Sequence, residues 1–173
     1  GEQAYPEMLE TIENAEDRVF LCTYIFDTDH SGRQMIDALA AATDRGVKVC
    51  VIVDGFGEFY SRPRASTLLK KAGVSCGRFL PPRLVPLPML HINLSTHRKI
   101  LIADGEIGYA GGMNIGDRHM AEDMYNRKRV VDTHFQISGP VVRQLEQSFI
   151  EDWAFCKGEI LEPTDTPVRT RGL

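Results

Sequence analysis

The stretch THRKILIADGEIGYAGGMNIGD, residues 96–117, decides how this chain folds. It reads as a strand from His97 to Ala103, a tight Asp104-Gly105 turn and a returning strand from Ile107 to Ala110. Asp-Gly between two apolar runs is a strong hairpin signal, because both residues tolerate the positive φ that such a turn needs. His97 and Lys99 stand two apart on one strand, so their side chains project from the same face. An imidazole beside an ammonium suits a phosphate. The cation binds the non-bridging oxygens, and the imidazole attacks phosphorus or moves a proton. Gly111-Gly112-Met113-Asn114 ends the returning strand. Glycines there mark close approach of a ligand or another backbone, and Asn114 supplies an amide donor.

Upstream of this hairpin the grammar is different. Tyr5 to Ala15 has helical spacing, with Tyr5, Met8, Leu9, Ile12 and Ala15 recurring on one side. Arg18 to Phe26 reads as a buried strand. Ser31 is placed to cap a helix running to about Arg45, stopped by Gly46. Val47 to Val53 is a continuous apolar strand of the kind found inside parallel sheets. A helix over 64–72 and a strand over 74–80 complete a strand-helix alternation, which predicts right-handed crossovers and a largely parallel sheet.

Downstream, four prolines make residues 81–90 a loop. Arg118 to Lys128 reads as a polar, mobile loop, Arg129 to Ile137 as a strand, and Val141 to Phe155 as a last amphipathic helix. Residues 161–173 are linker-like. Asp132 is expected on the strand after the hairpin, where its carboxylate accepts a hydrogen bond from one nitrogen of His97 and fixes the tautomer. Taken singly, these features have ordinary explanations: His-x-Lys as surface decoration, Gly-Gly as turn chemistry, Asp104 as a turn residue. His91, His119 and His134 read as packing or surface residues, with His134 set apart because it shares a strand face with Asp132. The combination is what carries chemistry.

The bulk numbers fit one domain. A chain of 173 residues has room for a core that buries roughly 70% of its unfolded surface. A net charge of -4 opposes a general nucleic-acid binder, although a local basic run lies between Arg118 and Arg129. The four cysteines, Cys22, Cys50, Cys76 and Cys156, show no CxxC spacing, so no zinc knuckle is supported. They read as buried, reduced thiols, which suits a cytosolic environment. No apolar run reaches the ~20 residues needed to span a bilayer. The chain opens on Gly1, which is expected of a piece of something longer.

His97-x-Lys99-x-x-x-x-Asp104 resembles the HKD signature of the phospholipase D superfamily, and GGMN at 111–114 resembles its downstream Gly-Gly-x-Asn element. Beyond the motif, YPEMLETIENA, VFLCTYIFDTD, GRQMIDALAAATDRGVKVCVIVDG, VDTHFQISGPVV and FIEDWAFCKGE resemble the first catalytic half of bacterial cardiolipin synthases. The resemblance runs to about Ile160. It implies an α/β phospholipase D-like domain over residues 1–160, a mixed, largely parallel β-sheet flanked by helices on both faces.

It also implies a phosphatidyl transfer without cofactor or metal. One HKD histidine forms a phosphohistidine, and the histidine of a second motif protonates the leaving alcohol. Carried over, His97 is the nucleophile or its acid/base partner. Lys99, Asn114 and Gly112 bind phosphate, Asp104 completes the signature, and Asp132 orients the histidine. The implied partners are a phospholipid such as phosphatidylglycerol, a membrane surface at the bacterial inner membrane, and a second HKD half, in cis or from a homodimer. Two departures stand out. Val130-Val131 replace the Trp the family usually carries before the acidic residue, and the chain has one HKD motif where the reaction needs two. The alternative reading is a single-motif nuclease or phosphodiesterase completed by homodimerisation, and the acidic pI of 5.7 counts against it.

Overall fold

The computed structural model describes residues 1–81 and 95–165. The expected proline loop beyond Pro81, His91 and the tail from residue 166 lie outside the described residues. The elements run α1 (Ala4–Glu13), β1 (Arg18–Thr23), α2 (His30–Asp44), β2 (Lys48–Asp54), α3 (Ala65–Lys71), β3 (Ser75–Phe79), β4 (Ile100–Ala103), β5 (Ile107–Gly111), β6 (His134–Ser138) and α4 (Val141–Lys157).

The strands form one sheet in the order β3-β2-β1-β4-β5-β6. β1, β2 and β3 pair in parallel. β4 pairs antiparallel with β1, and β5 and β6 continue antiparallel. The sheet is therefore mixed, and the largely parallel character expected from the strand-helix alternation is confined to its first three strands. β4 already runs opposite to β1, and the Asp104-Gly105 hairpin and the return into β6 keep each later pairing antiparallel.

β1 and β2 are buried along almost their whole length, as strands covered on both faces must be. On one face Val19, Leu21, Val49 and Val51 meet Met8 and Ile12 of α1, Met35 and Leu39 of α2, and Leu69 of α3. On the other, Phe20, Cys22 and Ile52 meet Phe149, Ile150 and Trp153 of α4. The Phe20 and Phe149 rings stack with centroids 4.7 Å apart. Helices on both faces were expected and are present. Cys22, Cys50 and Cys76 are buried free thiols, and Cys156 is half-buried and free.

Some boundaries move for identifiable reasons. Asp29, not Ser31, caps α2: its extended backbone lets the carboxylate accept the Gly32 N–H at 3.2 Å, while Ser31 lies within the first turn. β6 starts at His134 rather than Arg129, because its partner β5 ends at Gly111, opposite His134. Val130 instead donates its N–H to the Arg118 carbonyl. The packed chain also continues past residue 160. Leu161 is buried, and the Thr164 hydroxyl donates to the buried Glu146 carboxylate at 2.5 Å.

The turn at Asp104-Gly105 has φ of 52° and 63°, and the Glu106 N–H returns to the Ala103 carbonyl at 3.0 Å. This is the positive-φ geometry read from the sequence.

Candidate active site

β1 is where the sheet changes direction: β2 lies on one side of it and the antiparallel β4 on the other. In open α/β sheets the crevice beyond the carboxyl ends of the parallel strands at such a switch is where ligands bind. Tyr24 follows β1 there, Asp54 ends β2, and the segment 95–99 arrives to enter β4.

Asp54 is buried and ties this segment down. Its Oδ2 accepts the Thr96 N–H at 3.0 Å, while Oδ1 accepts the N–H groups of Phe56 and Gly57 at 2.9 and 3.0 Å. Burial pushes the carboxyl above its usual range. The three N–H donors and the neighbouring His97 pull the other way. One residue on, the exposed His97 ring stacks on Tyr24 with centroids 4.3 Å apart.

Lys99 is only 8% exposed, although it carries a charge. Its Nζ donates to the His97 carbonyl at 2.7 Å and lies 3.4 Å from His97 Nδ1. It also sits over the Tyr24 ring at 5.4 Å. An ammonium can only donate, so His97 Nδ1 is the acceptor in this contact and Nε2 is the nitrogen left facing outward. Burial holds the Lys99 pKa below its usual range, and Asp132 acts in the opposite direction. A half-desolvated ammonium beside an exposed imidazole is an arrangement that can hold an anion next to a ring nitrogen.

Asn114 is held by its backbone and by half of its side chain. Its carbonyl faces the Tyr5 hydroxyl of α1 at 2.9 Å, and its Oδ1 accepts the Ile25 N–H at 3.0 Å. That use of Oδ1 leaves the amide NH2 as the group able to donate. The Asn114 N–H donates to Nε2 of the buried His119 at 3.1 Å, and His119 Nδ1 lies 3.6 Å from Asp132 Oδ2. Burial lowers the His119 pKa, so the neutral ring that accepts from Asn114 is the favoured one.

Asp132 thus stands beside His119, and the hydrogen bond to His97 expected from the sequence is not among those of the described residues. The glycine pair explains where it sits. A Cβ on Gly112 would collide with the Asp132 carboxylate, and one on Gly111 would collide with the Thr133 carbonyl. The close approach read from Gly-Gly is that of β6 and its leading carboxylate. Gly112 also gives its N–H to the Thr133 carbonyl at 3.0 Å, so that amide is not available to a phosphate.

Asp104 lies at the other end of β4 from His97 and Lys99. Its carboxylate accepts the N–H groups of Glu16, Asp17 and Arg18 at 3.0, 2.8 and 2.9 Å, clamping the turn that leads into β1. Sequence reasoning missed Tyr24 and Asp54, whose partners His97 and Thr96 are distant in the chain, and it read His119 as a packing or surface residue although its ring accepts the Asn114 N–H. His134 lies around the same closed gap as Lys99 and Met113. Burial first, then His119, push its pKa down to about 4. Beside it opens a cavity of about 680 Å³ whose wall includes His119, Asp132, His134, Val130 and Val131. Among the described residues no cluster of His, Cys, Asp and Glu could hold a metal, and no helix is long and apolar enough to cross a membrane.

A family model described as "Cardiolipin synthase, PLD-like domain" matches residues 8–153. The chain is 35% identical over 161 residues to a cardiolipin synthase of Alkalihalophilus pseudofirmus, covering 93% of this chain and 32% of that protein. It is 34% identical over 157 residues to cardiolipin synthase 1 of Bacillus anthracis, covering 90% and 30% respectively. The chain thus spans about a third of the length of these curated relatives. In fold it is similar to the phospholipase D family member Nuc from Salmonella typhimurium, with a TM-score of 0.61 at 19% identity, covering 91% of this chain and 89% of that one.

Proposed function

The chain belongs to the cardiolipin synthase, phospholipase D-like domain family, and from that premise we propose that it forms one half of a phosphatidyl-transfer site. The observation that carries this reading is the pairing of the exposed His97 imidazole with the buried Lys99 ammonium at 3.4 Å, at the switch point of the sheet.

In the proposed reaction a ring nitrogen of a histidine attacks the phosphorus of a phospholipid. The N–P bond forms as the bond to the leaving glycerol oxygen breaks, and an opposing histidine protonates that oxygen. The opposing histidine then takes the proton of the acceptor alcohol, whose oxygen displaces the first histidine from phosphorus. Phosphatidylglycerol is the proposed donor and acceptor, and water as acceptor gives hydrolysis. His97 is one of the two histidines. Lys99 Nζ and the Asn114 amide hold non-bridging oxygens, where fixed donors stabilise the charge that builds at phosphorus. The network Asn114–His119–Asp132 holds the loop that carries that amide. Asp104 serves the reaction from a distance, by fixing β4 against β1. Val130 and Val131 line the cavity beside the site, where they shape the space for the acceptor.

The missing element is the opposing histidine, supplied by a second motif in cis or by a second copy. Incubation with labelled phosphatidylglycerol, with sedimentation alongside, tests this. The monomeric chain is expected to be inert. Combined with a second HKD half it is expected to release glycerol, and quenched samples are expected to carry a phosphohistidine. Label on His97 makes it the nucleophile, and label on the other histidine makes it the acid. Turnover by the monomer would overturn the half-site reading. A tight dimer that cleaves single-stranded DNA and ignores phosphatidylglycerol would overturn the lipid reading.

A further inference from the structure

The geometry points to the surface formed by residues 56–71, beside the mouth of the site, as a docking face for an anionic lipid bilayer. The inference rests on the phospholipid reading for the nature of the partner, and it adds the surface by which the chain meets it.

The face begins where β2 ends. Phe56, Phe59 and Tyr60 lie on or just before a 3-10 turn at Gly57–Tyr60, and all three are exposed, Phe59 by 50% and Tyr60 by 56%. Three exposed aromatics within five residues need an explanation, since large apolar side chains together on a surface mark a contact. The turn that presents them is anchored from beneath. A Cβ on Gly57 would collide with the Tyr24 carbonyl, so the turn is pressed onto the residue that stacks against His97. Glu58 points inward, fully buried, accepting the Ser66 N–H at 3.1 Å and pairing with Arg78 at 2.6 Å. Ser61 donates to Asp27 at 2.5 Å, and Asp27 is in turn held by Arg118. The aromatic rings are thus displayed on a fixed base.

Charge completes the case. Residues 55–78 hold five Lys/Arg and one Asp/Glu in a chain whose net charge is -4. The one acid is Glu58, which faces inward. Arg62, Arg64, Lys70 and Lys71 are exposed, and none forms an ion pair with a described carboxylate. Arg64 lies over the Phe59 ring at 4.9 Å. Behind it a hollow of about 370 Å³ is lined by Arg64, Ser66, Thr67, Lys70, Lys71 and Arg78, with no carboxylate in its wall. Aromatic rings that settle at the headgroup level beside cations that attract anionic lipid are the two parts of an interfacial anchor. Its position fits the chemistry. A phospholipid offers its phosphate at the bilayer surface, and this face adjoins Tyr24 and His97.

Co-sedimentation of the 173-residue chain with vesicles tests the inference. Binding is expected to vesicles containing phosphatidylglycerol, and to fall steeply with salt. Little is expected to phosphatidylcholine alone. Each exposed cation near an anionic surface contributes roughly a fivefold change in partitioning. Lys70→Glu with Lys71→Glu is therefore expected to weaken binding by at least ~20-fold. Phe59→Ser with Tyr60→Ser is expected to weaken it while leaving the salt dependence in place. Both variants alter exposed side chains, and circular dichroism checks that they fold. Lys48→Glu, outside the face, serves as the control.

Failure to bind phosphatidylglycerol vesicles would overturn the inference, as would loss of binding equal in the control and the face variants. Binding of single-stranded DNA at this face in place of vesicles would overturn it too. His97→Ala is expected to bind vesicles as the unaltered chain does. The docking result thus stands or falls apart from the catalytic reading, which turnover and phosphohistidine trapping decide.

Discussion

Replacing Asp104 separates the two halves of the signature physically. Its carboxylate takes three backbone N–H groups, and its own φ is 52°. The three hydrogen bonds are partly exposed, so each is worth about 0.5–1 kcal/mol net. Alanine at a left-handed φ adds about 1 kcal/mol of strain. Asp104→Ala is then expected to lose about 3 kcal/mol, lowering Tm by roughly 6–12 °C for a chain of this length. Asp104→Gly relieves the strain and keeps none of the bonds, for a loss of about 2 kcal/mol. Asn tolerates the left-handed region, and its one carbonyl oxygen can replace Oδ1, which accepts from both Asp17 and Arg18. Asp104→Asn is therefore expected to lose only about 1 kcal/mol.

Urea melts of the three variants give the order Ala, Gly, Asn from worst to best. A glycine variant as stable as the unaltered chain would refute the clamp and leave only strain. An asparagine variant as weak as alanine would refute the assignment of the bonds. Within a complete two-motif enzyme, Asp104→Asn is expected to keep turnover within a few-fold. Complete loss of turnover in a stably folded Asn variant would place Asp104 in the chemistry and end the argument.

Three further outcomes follow from the geometry. His134 is held neutral by burial, with its pKa lowered from 6.5 to about 4. The unfolded chain therefore takes up this proton first, so the stabilisation is whole above about pH 6.5 and drains away towards pH 4. It amounts to about 2 kcal/mol after allowing for the ring's partial exposure, and His134→Gln should flatten that part of the stability-pH curve in denaturant titrations. Gly112→Ala is expected to displace Asp132 at a loss of about 1–3 kcal/mol, read by thermal melting, since its Cβ meets the carboxylate and something must shift. Glu58→Ala strands Arg78 and the buried Ser66 N–H and should destabilise by about 3 kcal/mol, with Glu58→Gln milder because it keeps an acceptor for Ser66; equal melts for both would contradict that hydrogen bond.

What the sequence disclosed follows the range of the interactions involved. The apolar runs of β1 and β2, the period of α1 and α4 and the Asp-Gly turn are local patterns, and they appear where expected within a few residues. The strand expected from His97 begins only at Ile100, yet His97 and Lys99 do come together, with Nδ1 and Nζ 3.4 Å apart. The Asp132 expectation depended on which histidine a carboxylate meets after the chain has folded back. A spacing along the chain cannot distinguish His97 from His119 as its partner. Tyr24 and Asp54 were missed for the same reason. Tyr24 follows and Asp54 ends a strand that reads as ordinary core, and their value arises only because both strands end at the same place.

The spacing of the signature itself acquires a mechanical meaning. Between Lys99 and Asp104 lie four residues, and these are the whole of β4, Ile100–Ala103. At roughly 3.3 Å per residue that short strand crosses the sheet from the reactive end to the far end. At the far end Asp104 holds the N–H groups that open β1, and the register then runs Val19↔Ala103 to Cys22↔Ile100. A one-residue slip in that register would turn every side chain to the other face. Held in place, it brings Tyr24, two residues past Cys22, against His97, three residues before Ile100, close enough for the rings to stack at 4.3 Å. We propose that the aspartate acts on the imidazole through this register. It therefore belongs in one motif with His97 and Lys99 while touching neither.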